Sequence, residues 1–307
     1  MSIKFTVVIP LYNKEKYVIR CLESIKAQIY TDFDVLIIDD GSIDKSKKIV
    51  NEWLQNNSIE QKVVFESQNN MGVLYTRNLL LANASNRFVA FLDADDVWLP
   101  NHLEELSKLI NRYQNKVIIY STAYYRQRND RKVSHDLDKY SGYFGVLDYF
   151  DAMSQSSGYI NSSVVCIDKQ QISSAELFGN LDVKTNEDLL VWARLARDQG
   201  LAFSAVKTGI NYIDAGEASL NGSLHDTFAV YLEILKMSQN WDNKSNVKRY
   251  LRIFALKNIA NLRLNTSFFG FIRSIINNFN IKMLKLSVFA ICVLFMPKFI
   301  IRRKMII

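Results

Sequence analysis

Five short, almost wholly apolar runs limit what this chain can fold into: Phe5 to Ile9, Val35 to Ile38, Val63 to Phe65, Phe88 to Leu92 and Val117 to Tyr120. Runs of this length without polar alternation suit strands buried on both faces. A helical stretch follows each of the first four. Lys16 to Gln28 carries a stripe of Tyr17, Val18, Cys21, Leu22 and Ile25, continued by Ile29. Lys45 to about Gln55, Val73 to Ala84 and Asn101 to Asn115 are the others, the third entered through Asn69, Asn70 and Gly72. Strand and helix in alternation from Phe5 to Tyr120 predict an α/β domain, a parallel sheet with helices on both faces.

Two of these runs end in carboxylates. Val35 to Ile38 leads into Asp39 and Asp40, then turns at Gly41-Ser42, with Asp44 placed to cap the next helix. Phe88 to Leu92 leads into Asp93, Ala94, Asp95 and Asp96. Three carboxylates in four residues repel one another, so a cation must offset them or the loop must be wet. A divalent metal on hard oxygen ligands is the natural partner, and metal carboxylates are where diphosphates bind. Ligands of open α/β sheets sit outside the carboxyl ends of the strands. An equal reading makes the triplet an acidic turn before the helix at Asn101, where the dipole favours Asp.

The 307 residues allow one large domain or two small ones, and 49% apolar content makes the chain globular. Cys21, Cys166 and Cys292 have neither metal-ligand nor disulfide spacing, which fits a reducing cytoplasm. The N-terminal apolar run, closed by Pro10, is too short and wrongly flanked for a signal peptide. The net charge of +7 admits nucleic acid or an anionic membrane as partner, and its concentration in the last third favours the membrane over nucleic acid. The pattern weakens from Arg126 to Tyr159. Ile160 to Ile167 and Ala202 to Val206 read as strands, Asn186 to Gln199 as an amphipathic helix with Glu187 and Asp188 in its first turn, and the chain from Leu224 as helical. Ser267 to Ile307 is apolar with interspersed Lys282, Lys285, Lys298, Arg302, Arg303 and Lys304. Its longest uncharged run, Leu286 to Pro297, falls short of the ~20 residues that span a bilayer. An interfacial helix is favoured over plain core packing, because basic residues flank the run at both ends.

The stretches TVVIPLYNKEKYVIRCLESIKAQ, FDVLIIDDGSIDKS, NNMGVLYTRN, FLDADDVWLP and NEDLLVWARLA, in that order, resemble the family 2 glycosyltransferases, inverting enzymes of the A-type glycosyltransferase fold. The resemblance covers roughly Thr6 to Val206. It implies a Rossmann-like, mostly parallel sheet in a catalytic domain over 1–215, with a nucleotide-sugar-binding half over 1–120 and an acceptor half over 121–215. A helical region over 216–307 would carry the membrane-associating tail, 267–307. Position by position, Pro10 and Tyr12 match the loop against base and ribose, Asp40 the acid that reads the uracil edge, and Arg77 a neighbour of base and phosphates. Asp93 matches the acid facing the ribose; Asp95, across Ala94, matches the acid binding Mn²⁺ or Mg²⁺; Asp188 matches the catalytic base. Asp188 as a mere helix-terminal acid, and Asp40 and Asp44 as turn and cap residues, are the plainer alternatives. Trp98 and Trp192 read as core, and His102, His135 and His225 receive no role.

The implied activity is transfer of a sugar from a nucleotide-diphospho-sugar, with a UDP-sugar the favoured donor. The acceptor would be a saccharide or lipid-linked saccharide, in surface-polysaccharide assembly on the cytoplasmic face of the membrane. A sugar nucleotidyltransferase is the competing enzyme class, but its Gly-rich basic loop after the first strand is replaced here by PLYNKEKY. A catalytically inactive, membrane-peripheral binding protein is the non-enzymatic alternative, and intact Asp93, Asp95 and Asp188 oppose it.

Overall fold

The computed structural model describes residues 3–128, 131–134, 140–156, 159–172, 178, 187–212, 224–240 and 244–265. The chain divides into two compact units, Met1–Gly179 with Leu195–Ala215, and Asn180–Arg194 with Gly216–Ile307.

The first unit is built on one mixed sheet. Strands β1 (Phe5–Leu11), β2 (Phe33–Asp39), β3 (Val63–Ser67) and β4 (Phe88–Phe91) pair in parallel in the order β3-β2-β1-β4. Phe5 stands level with Phe33 on one side and with Phe88 on the other, so the three strands share one carboxyl edge. β1, β2 and β4 are apolar on both faces because both faces are covered. Phe5, Val7 and Ile9 of β1, Val35 and Ile37 of β2, and Phe88 and Ala90 of β4 form one core face. Against it pack helices α1 (Val18–Lys26), α2 (Ser46–Asn56) and α4 (His102–Tyr113), through Val18, Cys21, Leu22 and Ile25, Val50 and Trp53, and Leu103, Leu106 and Ile110. Helix α3 (Val73–Asn83) lies against β1 and β2. Fully burying one such Val, Ile or Leu contributes about 1.5–3 kcal/mol, which makes this face the main source of stability.

Beyond β4 the sheet departs from simple alternation. Strand β6 (Ile119–Arg128) is not β4's neighbour. Strand β9 (Val165–Asp168) inserts between them, antiparallel to both. A bidentate ion pair from Arg87 to the buried Asp168 fastens that insertion. Strand β10 (Leu201–Tyr212) runs parallel to β6, and antiparallel to β8 (Phe144–Leu147) and the short β5 (Val97–Trp98). β7 (Arg131–Ser134) pairs with β6, and helix α5 (Tyr149–Gln155) starts at Asp148, whose carboxylate accepts from the Asp151 N–H. β10 reaches Tyr212, past the expected stop at Val206. Register shifts between Ser204 and Gly209 carry it on, and such a bulge erases the period-2 signal. Buried His102 joins α4 to β10: its Nδ1 lies 2.6 Å from Thr208 Oγ1 and its ring 4.2 Å from that of Trp98.

The second unit is helical in its described residues. It holds most of α6 (Glu187–Leu195), together with α7 (Leu224–Met237) and α8 (Lys244–Asn265), which pack on each other. Phe228, Val230 and Ile234 of α7 and Val247, Leu251, Ala255 and Ile259 of α8 are buried. Among the described residues no helix is long and apolar enough to cross a membrane. The tail 267–307 lies outside them, as do His135 and residues 213–223.

Candidate functional site

The carboxyl edge of β1, β2 and β4 carries the loops that hold most of the residues singled out above. The loop after β1 and the loop after β2 clasp each other. Asn13, at φ 51°, accepts from the Ile43 N–H at 2.9 Å, and its own N–H donates to Ser42 Oγ at 3.0 Å. The Lys14 N–H donates to Ser46 Oγ at 2.7 Å, the Glu15 N–H to Asp44 at 3.0 Å, and the Lys45 N–H to Glu15 at 3.0 Å. Asp44 therefore differs from its expected place at the helix cap. It stands one residue earlier, with Lys45 at the N-cap, and ties Ser46 to Glu15. Those bonds hold its carboxyl below the usual range despite its partial burial.

Asp40 is buried and heavily used. Its carboxylate accepts from Gln68 Nε2 at 2.7 Å, the Met71 N–H at 2.8 Å and the Gly72 N–H at 2.9 Å, drawing the 68–72 loop over the end of β2. Gly41 makes that approach possible: its φ is +72°, and a Cβ there would stand 2.7 Å from the Asn70 nitrogen. Tyr12 is 43% exposed beside this loop system, and Pro10 is half-buried.

The acidic triplet resolves into three environments. Asp93 is paired with Arg77 of α3 at 2.9 Å. Asp95 receives the Lys14 ammonium at 2.5 Å, while its carbonyl accepts from the Arg20 guanidinium, which stacks 3.5 Å from the centre of the Tyr212 ring. Asp96 is buried and accepts from the Ser163 hydroxyl, from Asn211 Nδ2 at 3.0 Å and from the Tyr212 N–H at 2.9 Å. Burial, then the charges of Asp95 and Asp93, push its carboxyl up to about 7 against the Ser163 and Asn211 hydrogen bonds. The sequence left a metal or water to offset the triplet's repulsion. In the structure the chain's own Arg77 and Lys14 offset two of the charges, and the third is withdrawn into the sheet. The methyl of Ala94 packs in the core, so only its backbone can face a ligand.

Asp188 lies in the other unit, half-buried in the first turn of α6, where its carboxylate accepts from the Leu189 N–H at 2.9 Å. Lys14, Arg20, Ser163, Asn211 and Tyr212 escaped sequence reading. Ser162-Ser163, set in the otherwise apolar Ile160 to Ile167 run, was the one visible sign.

A sheet of this topology, with a cation-paired acidic loop on the carboxyl edge of its parallel half, defines an α/β protein of the A-type glycosyltransferase fold. Residues 6–165 match the model of glycosyl transferase family 2, just over half of the 307 residues, and the chain belongs to that family. It is 26% identical over 241 residues to the putative teichuronic acid biosynthesis glycosyltransferase TuaG of Bacillus subtilis, covering 76% of this chain and 88% of TuaG. Of other curated relatives the chain spans 13% to 39% of the length, 16% in Streptococcus pneumoniae GlyA. Its fold is similar to that of Staphylococcus aureus TarS 1-349, solved with UDP-GlcNAc (TM-score 0.67, 18% identity, 94% of this chain and 79% of that one). It is also similar to the Pyrobaculum calidifontis mannosyltransferase PcManGT, solved with GDP-Man and Mn²⁺ (TM-score 0.61, 16% identity, 99% of this chain and 84% of that one).

Proposed function

We propose that this protein is an inverting glycosyltransferase that moves a sugar from a nucleotide-diphospho-sugar, a UDP-sugar by preference, to a saccharide or lipid-linked saccharide in surface-polysaccharide assembly. The observation that carries the reading is Asp95: a partly exposed carboxylate on the carboxyl edge, matched by a cation in a loop held rigid by buried Asp96. The TuaG and TarS likenesses support the class of pathway and the uridine donor.

Among the described residues no three His, Cys, Asp or Glu side chains gather into a metal cage. That fits Mg²⁺ or Mn²⁺, which take one or two carboxylates and complete their shell with water and substrate phosphates. Asp95 would hold such an ion, which supplies charge neutralisation for the leaving diphosphate. Tyr12 and Pro10 would border the base and ribose, and Asp40 the uracil edge through the loop it organises. Arg77 would hold Asp93 toward the ribose. The acceptor oxygen bonds to the anomeric carbon as the bond to the diphosphate breaks, and Asp188 takes the hydroxyl proton. One displacement without a protein nucleophile inverts the configuration. Residues 1–215 would form the catalytic part, 216–307 the helical extension. The tail 267–307 would attach the enzyme peripherally to the inner face of the cytoplasmic membrane.

Mass-spectrometric screening of nucleotide sugars with Mn²⁺ tests the proposal. Slow hydrolysis of a UDP-hexose or UDP-N-acetylhexosamine is expected. Failure to turn over any nucleotide sugar, or synthesis of one from a sugar phosphate and a nucleoside triphosphate, would overturn it.

A further inference from the structure

Lys14 is anchored by its backbone and reaches across to the acidic loop with its side chain. Its N–H is bonded to Ser46, and Asn13 and Glu15 on either side are tied to the loop after β2. Its ammonium lies 2.5 Å from Asp95 Oδ2, with the lysine side chain 26% exposed and the carboxylate 15%. Next to it, Arg20 brings a second positive charge to the Asp95 carbonyl and to the Tyr212 ring. Among the described residues Arg20 has no ion pair with a carboxylate, and its buried Nε has no hydrogen-bond partner. The loop after β1 and the first turn of α1 thus present positive charge to the place where the proposed donor's diphosphate would sit.

A divalent ion on Asp95 would bond at roughly 2.1 Å from a carboxylate oxygen. A lysine ammonium cannot keep its place against the same oxygen. Two cations would be in contact, in a site too shielded for water to screen them fully. An ammonium displaced on a flexible four-carbon stem can pair with another anion, and the diphosphate of the proposed donor is such an anion.

We infer that Lys14 is a positioning cation that alternates between two anions of the donor site, Asp95 in the metal-free protein and the donor diphosphate once a divalent ion takes Asp95. The inference rests on the donor function proposed above. It makes metal and nucleotide bind as a coupled pair. Metal alone displaces Lys14 from Asp95 and brings no anion in exchange, whereas nucleotide supplies one. By linkage each ligand raises the affinity for the other by the same factor.

The test uses the full chain, Mn²⁺ followed by the electron-spin resonance of the free ion, and UDP followed by calorimetry. Wild type, Lys14→Met and Lys16→Met are compared. Lys16 is an exposed neighbour, so its variant makes the same change of charge away from Asp95. Without nucleotide, Lys14→Met is expected to bind Mn²⁺ roughly fivefold tighter, and at saturating Mn²⁺ to bind UDP roughly fivefold more weakly, as loss of one ion pair implies. Lys16→Met is expected to move neither by as much as about twofold. Both affinities of Lys14→Met unchanged, both moved in the same direction, or the same pattern in Lys16→Met would each overturn the inference. If wild type binds UDP with Mn²⁺ and Lys14→Met matches it throughout, the Lys14 assignment alone falls. If wild type binds no nucleoside diphosphate with Mn²⁺, the donor reading falls and takes this inference with it.

Discussion

The Arg77 guanidinium donates to Asp93 across 2.9 Å, the arginine side chain 6% exposed and the carboxylate 30%. This joins the first residue of the acidic loop to helix α3. The guanidinium also lies 5.9 Å from the centre of the Phe178 ring. A buried arginine committed to a carboxylate is a structural strut as well as a source of charge. Arg77→Met should lower stability by about 2–3 kcal/mol, because it strands the Asp93 charge. Urea unfolding measures it, and Arg77→Met with Asp93→Asn should recover part of the loss. If the single variant is as stable as wild type, the pair contributes nothing.

Asp95→Asn should fold normally, since the side chain is partly exposed and its partner Lys14 can turn to solvent. UDP affinity in Mn²⁺ should fall by about tenfold or more, the effect of taking away a metal's charged ligand. Calorimetry with UDP and Mn²⁺ decides it; unchanged affinity would remove Asp95 from the metal site.

Asp188→Asn should keep donor binding and slow transfer by roughly 10²–10⁴, the usual result of removing a general base. The carboxylate's contact with the Leu189 N–H is one an amide can keep, so helix α6 should survive the change. Transfer near the wild-type rate would make Asp188 a helix-terminal acid.

His102 sets an acid limit. Burial pushes its imidazole from 6.5 down to about 3. Below pH 6.5 the unfolded chain takes up a proton that the folded chain refuses. The stability it contributes is therefore whole at neutral pH and is lost as pH falls from 6.5 toward 3. Between about pH 7 and pH 5 the loss should reach about 2 kcal/mol, at 1.36 kcal/mol per pH unit. It is read as the difference between wild type and His102→Gln in urea unfolding. The Asp96 carboxyl, held up, shifts both proteins alike in the opposite sense and cancels. A difference that does not vary with pH would show that the ring is protonated inside the fold.

Removal of 267–307 should free the protein from vesicles containing anionic lipid and leave donor hydrolysis in place. Each Lys or Arg near the surface adds about 1 kcal/mol, so attachment of the full chain should weaken with salt. Co-sedimentation over a salt series measures both. Aggregation of the shortened chain would show that the segment belongs to a core.

The parallel half of the fold was legible because β1, β2 and β4 are buried on both faces and their composition says so directly. Asp39, Asp40 and the 93–96 triplet were legible as ends of those runs. The antiparallel insertion of β9 was not, since a four-residue strand such as Val165–Asp168 carries no mark of direction or neighbour. Nor was the split of the triplet, because Asp96 differs from Asp93 and Asp95 only by what the distant Ser163, Asn211 and Tyr212 bring to it. Lys14 was hidden for a simpler reason: one lysine in a charged loop looks like solvent-facing charge until its partner is in place.

Tyr212 stands 116 residues beyond the Asp96 it bonds. Translation delivers the sheet's parallel half long before the strand that shapes its acidic loop, and contacts of such separation close late. A nascent chain halted near residue 200 should resist protease over β1 to β4 and yet not retain UDP·Mn²⁺, which pulse proteolysis of ribosome-bound chains would reveal. The enzyme would then acquire its compact body before its capacity to hold a reactive sugar nucleotide, and a half-made copy would draw nothing from the cell's pool of activated sugars.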